Sequence, residues 1–428
     1  MPARRRILFV AEAVTLAQVV RLATLGRALD RDQYEVHFAS ARFDELVFGG
    51  APFTRHAIHS LSPAVIDARV ASGRRLYGRR TLARYVRDER ALFERVRPDL
   101  VIGDLRLSLA VSAAVDRIPY ASLINAYWSP NAVRDGFPLP DHPIVRLLGV
   151  RLAEQYFPRA LPFVFRHFAR PVNALRRAHG LPALGSLPQV LNAGDHTLFP
   201  DVPALVPLRE PARPAGSPDE GGAPGLPGEG SAPLFLGPVL WSPPVSLPPW
   251  WQRLDPQRPT LYVTLGSSGR VQRLPLVIEV AARLGFQVLV ATAGRAAVPA
   301  ALPAHVHLAD FLPGELAARR SLAVVSNGGS TTGYQALSQG RPVLGIASNL
   351  DQYLAMTAIE RAGGGLLLRA GALTADQLAG ALTRLVSEPS FAARAAALGD
   401  EFARWDSGAN FRAFVARAAS GSAGRAAA

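Results

Sequence analysis

Apolar and polar residues alternate along the chain with two periods. An unbroken apolar run at 7–11 is followed by helical spacing at 16–29 and a second strand-like run at 34–39. This order predicts a β-α-β unit opening a parallel sheet. Arg97-Pro98-Asp99 then punctuates the chain before an expected strand at 100–102, a helix at 107–115 and a strand at 120–124. Apolar, arginine-rich spacing over 142–179 predicts helices covering one side of the N-terminal half. The strand series resumes at 260–265, 288–292, 306–309, 322–325 and 343–346, with an amphipathic helix expected at 401–416 and a frayed tail at 419–428. Such alternation builds doubly wound sheets, whose ligands sit beyond the carboxyl ends of the strands. The expected fold class is therefore α/β, with two Rossmann-like β/α/β domains facing an interdomain cleft.

The break between the two series is compositional. Residues 209–232 are almost entirely Pro, Gly, Ser, Ala and acids, too little apolar surface to offset ordering entropy, and a mobile loop is expected. The proline- and tryptophan-rich LFLGPVLWSPPVSLPPWW that follows reads as a stiff connector. A chain of 428 residues suits two cores of similar size. No apolar run approaches the roughly 18 residues of a membrane span. Arg4-Arg5-Arg6 and the apolar run after them imitate a signal peptide, but Glu12 and Gln18 interrupt it, which points to a first buried strand and a cytoplasmic protein. With no cysteine, disulfides and thiolate metal sites are excluded.

A formal charge of +14 would suggest nucleic acid if it were concentrated. The basic residues are all arginine and are spread through every segment without interleaved aromatic platforms, so no nucleic-acid partner is expected. The arginine-dense stretch 69–97 has two readings, an ordinary solvated helix face or a peripheral contact with anionic lipid. His56 with His59, and His305 with His307, lack an accompanying acidic cluster, and Asp30-Arg31-Asp32 reads as a solvated turn, so no metal is expected. The first β-α turn lacks G-x-G-x-x-G, which argues against a dinucleotide cofactor.

Three short segments carry candidate chemistry. SNGGSTTGYQAL follows a strand and opens a helix, so Asn327, Gly328 and Gly329 bring backbone close to a ligand, and Ser330, Thr331 and Thr332 add hydroxyls beside unpaired helix N–H groups. That arrangement suits phosphate oxygens, and the alternative is a glycine turn with an ordinary cap. LGSSGR, with Gly266, Ser267 and Ser268, follows a strand at the same edge, either as a second phosphate loop or as a plain turn. Asp351-Gln352, in the loop entering the next helix, suits sugar hydroxyls or simple capping.

The succession LGSSG, FLPGELAARRSLAVVSNGGSTTGYQALSQGRPVLGIASNLDQ and ERAGGGLLL resembles the donor half of inverting family 1, UDP-glycosyltransferase-like, glycosyltransferases of GT-B fold. The resemblance covers most of 260–368, and the N-terminal opening with GDLRLSLAVS is compatible with it. It implies that Ser267, Ser268, Ser330, Thr331 and Thr332 contact phosphate, that Asp351 and Gln352 hold the hexose, and that Phe311, Leu312 and Pro313 lie against the base. It implies an acceptor-binding domain at 1–236, a linker at 237–256, a nucleotide-sugar domain at 257–402 and a helix at 403–418 packing back on the first domain. The co-substrate would be a UDP- or dTDP-sugar and the acceptor a small-molecule or lipid hydroxyl, with no metal or other cofactor.

The chain departs from that pattern twice. Asn327 stands where the family usually has histidine, and it can still donate a hydrogen bond to phosphate. The family's histidine base falls near Gln18, whose amide has no useful basicity. Asp104, matching the acid that orients that histidine, and Glu12, at the end of the first strand, are the carboxylates available as a base. Pairing of Asp104 with Arg106, or capping of the next helix, is the alternative. Without a base the chain would be a donor-binding pseudo-enzyme; with a lipid acceptor, a membrane-peripheral transferase.

Overall fold

A computed structural model of the protein describes residues 4–209, 233–266, 270–295 and 302–423. The expected mobile loop, apart from Arg209, and the last residues of the expected tail lie outside them. The chain divides into two compact units, one of Met1–Asp135, Phe157–Val239 and Asp406–Ala428, the other of Gly136–Tyr156 and Leu240–Trp405.

The first unit holds a parallel sheet of β1 (Arg5–Ala11), β2 (Tyr34–Ser40), β3 (Thr54–Ala57), β4 (Leu100–Asp104), β5 (Tyr120–Leu123), β6 (His196–Phe199) and β7 (Leu234–Phe235). Their spatial order is β3-β2-β1-β4-β5-β6-β7. The ILFVA run of β1 is buried on both faces, as a central parallel strand must be. Leu8, Val10 and Val101 of the sheet pack against Leu92, Phe93 and Val96 of the helix Arg79–Val96. The strands β3, β6 and β7 had no sequence signal, because β3 and β6 are short and mixed in polarity and β7 has only two residues.

The second unit holds β8 (Thr260–Thr264), β9 (Gln287–Ala291), β10 (Val306–Ala309), β11 (Ala323–Ser326), β12 (Val343–Ala347) and β13 (Gly365–Arg369), in the parallel order β10-β9-β8-β11-β12-β13. Leu261, Val263, Val288, Val290 and Val325 form its core with Ile278, Leu378 and Leu382 from the covering helices. From β8 the chain winds outward through β9 to one edge, then returns to β11 and winds to the other. The carboxyl ends of β8 and β11 therefore flank the topological switch point, where such sheets bind ligands.

The C-terminal helical pattern is two helices and not one. Pro389–Ala403 stops, and Ser407–Ala423 starts with the Asp406 carboxylate accepting Ala409 N–H at 2.8 Å. Phe411 of the second helix is fully buried against Phe9, and Asn410 donates to the Leu236 carbonyl at 2.9 Å.

Candidate active site

The turn after β11 is fixed by its own side chains. Ser326 Oγ accepts from Gly328 N–H at 3.0 Å, and Asn327 Oδ1 accepts from Gly329 N–H at 3.0 Å. Gly328 sits at φ +81°, and a Cβ there would lie 2.9 Å from Met356 Cγ, so both backbone and space demand glycine. Gly329 is the N-cap of the helix Ser330–Ser338 and supplies no side-chain cap. The first turn of this helix thus presents the positive end of the helix dipole beyond the strand end.

Thr264 of β8 is the register partner of Ser326, which sets the two following turns side by side. Gly266, at φ +60°, leaves room for the Asn327 amide; a Cβ there would be 3.4 Å from its Nδ2. Asn327 is held on one side by Gly329 and faces Gly266 on the other. Ser267 and Ser268 lie outside the described residues.

One strand further, Asp351 and Gln352 occupy the first turn of the helix Leu350–Arg361 and not the loop before it. Asn349 Oδ1 accepts Gln352 N–H at 3.0 Å, and Gln352 Oε1 accepts from Ser348 N–H at 2.9 Å. Asp351 is exposed. Leu312 is buried between half-buried Phe311 and Pro313, the latter the N-cap of the helix Gly314–Arg320.

A neighbouring residue gave no local sequence signal. Asp141 donates its backbone N–H to the Ser348 carbonyl at 3.0 Å, and its Oδ1 accepts from the Tyr353 hydroxyl at 3.2 Å. Among the described residues its Oδ2 is buried without a hydrogen-bond donor, 3.7 Å from Arg270 Nη2, while Arg369 Nη2 stands 3.6 Å from Oδ1. Two guanidiniums, from the turn after β8 and from the end of β13, thus approach one carboxylate beside the Asp351-Gln352 turn. The contact spans 212 residues to Tyr353, which no periodicity reveals.

The two candidate carboxylates of the first unit, Asp104 and Glu12, are both engaged. Asp104 is fully buried and takes both Arg21 Nε at 2.9 Å and Nη2 at 2.8 Å. Arg21 also donates to Asn125 Oδ1 at 2.6 Å, and Asn125 in turn donates to Asp201 at 2.9 Å. The partner of Asp104 is therefore Arg21 and not Arg106. Arg106 donates to Glu12 Oε2 at 2.9 Å and Glu89 Oε1 at 2.7 Å, with its guanidinium 3.7 Å over the Tyr85 ring. Burial pushes the Glu12 carboxyl above the ordinary range, opposed by the Arg106 charge and by hydrogen bonds from Arg106 and Tyr85. Gln18 closes a capping box one turn before Arg21, its Oε1 accepting Thr15 N–H at 3.1 Å.

Among the described residues no group of three or more His, Asp or Glu is arranged to hold a metal, and no helix is long and apolar enough to cross a membrane.

Two Rossmann-like parallel sheets in one chain, with a glycine-rich helix start at the switch point of the second, define a GT-B glycosyltransferase. Residues 275–409 match the family model for the erythromycin biosynthesis protein CIII-like C-terminal domain. The chain is 46% identical over 403 residues to a PGL/p-HBAD biosynthesis rhamnosyltransferase of Mycobacterium bovis, covering 94% of this chain and 85% of the relative. It is also 44% identical over 282 residues to an inactive PGL/p-HBAD biosynthesis glycosyltransferase of the same species, covering 65% and 72%. In fold it is similar to the spinosyn rhamnosyltransferase SpnG complexed with thymidine diphosphate, with a TM-score of 0.62 at 19% identity over 96% and 99% of the two chains. The chain belongs to the glycosyltransferase family that contains the PGL/p-HBAD biosynthesis glycosyltransferases.

Proposed function

We propose that this glycosyltransferase moves a hexose, of the rhamnose type, from a thymidine or uridine diphosphate sugar to a hydroxyl of a small-molecule or lipid acceptor. The reaction proposed is inverting and needs no metal. The observation that carries the reading is the glycine-rich start of the helix Ser330–Ser338 beside the Gly266 turn, which aims the positive end of a helix dipole at a diphosphate. The names of the curated relatives support a rhamnosyl donor, and the thymidine diphosphate bound by the spinosyn enzyme supports that nucleotide.

In the proposed step the acceptor oxygen bonds the anomeric carbon as the bond from that carbon to the diphosphate oxygen breaks. The nucleoside diphosphate leaves with the electron pair. Amides at Ser330, Thr331 and Thr332, aided by Ser267 and Ser268, stabilise the charge developing on it, and positioning supplies most of the remaining rate. Phe311, Leu312 and Pro313 lie along the base, and Asp351 and Gln352 hold sugar hydroxyls. Incubation with dTDP-rhamnose and UDP-sugars tests the reading: release or transfer of sugar supports it, and absence of nucleotide binding overturns it.

Asp141 joins this proposed site as the acceptor of a sugar hydroxyl hydrogen bond, because its Oδ2 is a buried acceptor without a donor among the described residues. Hydrogen bonds to charged groups contribute about 1.5–3 kcal/mol. The Asp141→Asn variant is expected to raise KM for the nucleotide sugar by about tenfold or more while affinity for free thymidine diphosphate is unchanged. An equal loss for both ligands would place Asp141 outside the sugar pocket.

The acceptor's proton is assigned to Glu12, whose carboxyl burial pushes above the ordinary range and so towards a better proton acceptor. Asp104 acts as a positioning residue through Arg21. The Glu12→Gln variant is expected to lower kcat by about a hundredfold with donor KM unchanged. Full turnover in both Glu12→Gln and Asp104→Asn would refute the assignment. The engagement of both carboxylates by arginines and of Gln18 in a cap favours a second reading, donor binding without transfer. Tight nucleotide binding with neither hydrolysis nor transfer would select it.

A further inference from the structure

The helix Arg79–Val96 buries one charged side chain among apolar ones. Tyr85 and Val86 before it belong to one apolar cluster, Leu92 and Phe93 after it to another, and between them Glu89 is fully buried. Arg106 Nε donates to Glu89 Oε1 at 2.7 Å, Ser108 Oγ to the same oxygen at 2.5 Å, and Ser112 Oγ to Oε2 at 2.6 Å. All of these contacts use Glu89 as the acceptor, the role of a carboxylate. Apolar side chains of similar volume often replace a buried ion pair at no cost in stability. Holding this helix on the sheet therefore does not account for an acid at position 89.

Arg106 serves a second carboxyl. Its Nη1 donates to Glu12 Oε2 at 2.9 Å, just past the carboxyl end of β1 and beside β4, where the first sheet has its own switch point. The Glu89 charge offsets, at Glu12, the field of the arginine that both acids share. The other titratable groups facing Glu12 are Tyr85, whose hydroxyl donates to Oε1 at 3.1 Å, and Tyr77. Burial and then the Glu12 charge push both hydroxyls up, so both remain proton donors. His59 meets the Tyr85 ring edge to face and gives Arg106 its backbone carbonyl.

We propose that Glu89 is a positioning residue for the transfer step: by offsetting the charge of Arg106 it leaves the Glu12 carboxylate free to take the acceptor's proton. This role rests on the reading of Glu12 as the base. In the step the acceptor oxygen bonds the anomeric carbon, the diphosphate leaves with the electron pair, and the proton passes to a Glu12 oxygen. The raised Glu12 carboxyl agrees with it: burial is the largest cause, Arg106 opposes it, and the Glu89 charge adds to it.

Glu89→Gln and Glu89→Met remove the charge in two ways, and Glu89→Asp keeps it. Release of thymidine diphosphate from dTDP-rhamnose is followed against pH, and so is stability in urea. Both charge-removing variants are expected to carry the acid limb of the rate profile to lower pH by about one unit or more. Above that limb kcat should fall about threefold, because the base is weaker, with donor KM unchanged. The Glu12 contribution to wild-type stability is complete below 4.5 and lost as pH rises through the raised value, so in both variants that loss should begin at lower pH. Glu89→Asp should keep both wild-type profiles. A uniform loss of rate with the limb in place, or an equal displacement in Glu89→Asp, would make Glu89 a packing residue and overturn the role. The urea profile needs no turnover: left unmoved, it refutes the action of Glu89 on Glu12. Moved, with the rate limb unmoved or turnover absent, it refutes Glu12 as the base.

Discussion

A Thr331→Glu variant is expected to lose on the order of a hundredfold in affinity for thymidine diphosphate while its melting temperature holds or rises. Thr331 is the second residue of the helix Ser330–Ser338, and a carboxylate in a first turn ordinarily stabilises a helix by about 0.3–1 kcal/mol. The same carboxylate would stand beside the proposed diphosphate. Two like charges about 5 Å apart at an effective dielectric near 20 repel by about 3 kcal/mol, on the order of a hundredfold in affinity. Opposite signs for stability and binding separate this outcome from general damage. Calorimetric titration beside a thermal melt reads both. Undiminished affinity would move the diphosphate away from this turn.

The second large effect lies in the first unit. Arg106 is fully buried and neutralises two buried carboxylates, Glu12 and Glu89; Glu89 also accepts Ser108 Oγ at 2.5 Å and Ser112 Oγ at 2.6 Å. Arg106→Met leaves both acids without their countercharge, and breaking a buried pair costs about 3–5 kcal/mol. The variant should be severely destabilised in urea unfolding, and adding Glu12→Gln with Glu89→Gln should recover most of the loss. No recovery would mean that packing, not charge, is what Arg106 supplies.

Glu12→Gln alone should cost little, since Arg106 keeps Glu89 as its partner. The pH dependence follows from the raised Glu12 value. The folded state holds this proton more tightly than the unfolded chain, so the Glu12 contribution to stability is complete below the ordinary value of 4.5 and is lost as pH rises through the raised one. The Glu12→Gln variant therefore lacks that decline.

The fold was legible where burial leaves its period in the chain. The continuous runs at β1 and β8 could only be central parallel strands, and the glycine pair between a strand and a helix marked the turn at Asn327. What stayed hidden depends on partners distant in sequence. Arg21 meets Asp104 across 83 residues, and either acid could have paired with Arg106 on pattern alone. Asp141 reaches Ser348 through a backbone contact that no side-chain pattern encodes. The helix stop at Arg404 was missed because apolar spacing runs through it, although Asp406 carried a capping signal. Gln18 falls where the resemblance puts the family's histidine base, and its oxygen instead closes the first helix turn.

The central claim is that main-chain amides at the start of the helix Ser330–Ser338 hold the donor's diphosphate. A crystal structure of the protein with thymidine diphosphate tests it most directly. The β-phosphate oxygens should lie about 3 Å from the N–H groups of Ser330, Thr331 or Thr332, next to the Gly266 turn. Phosphate density at any other position, with those amides turned to water, would contradict the account.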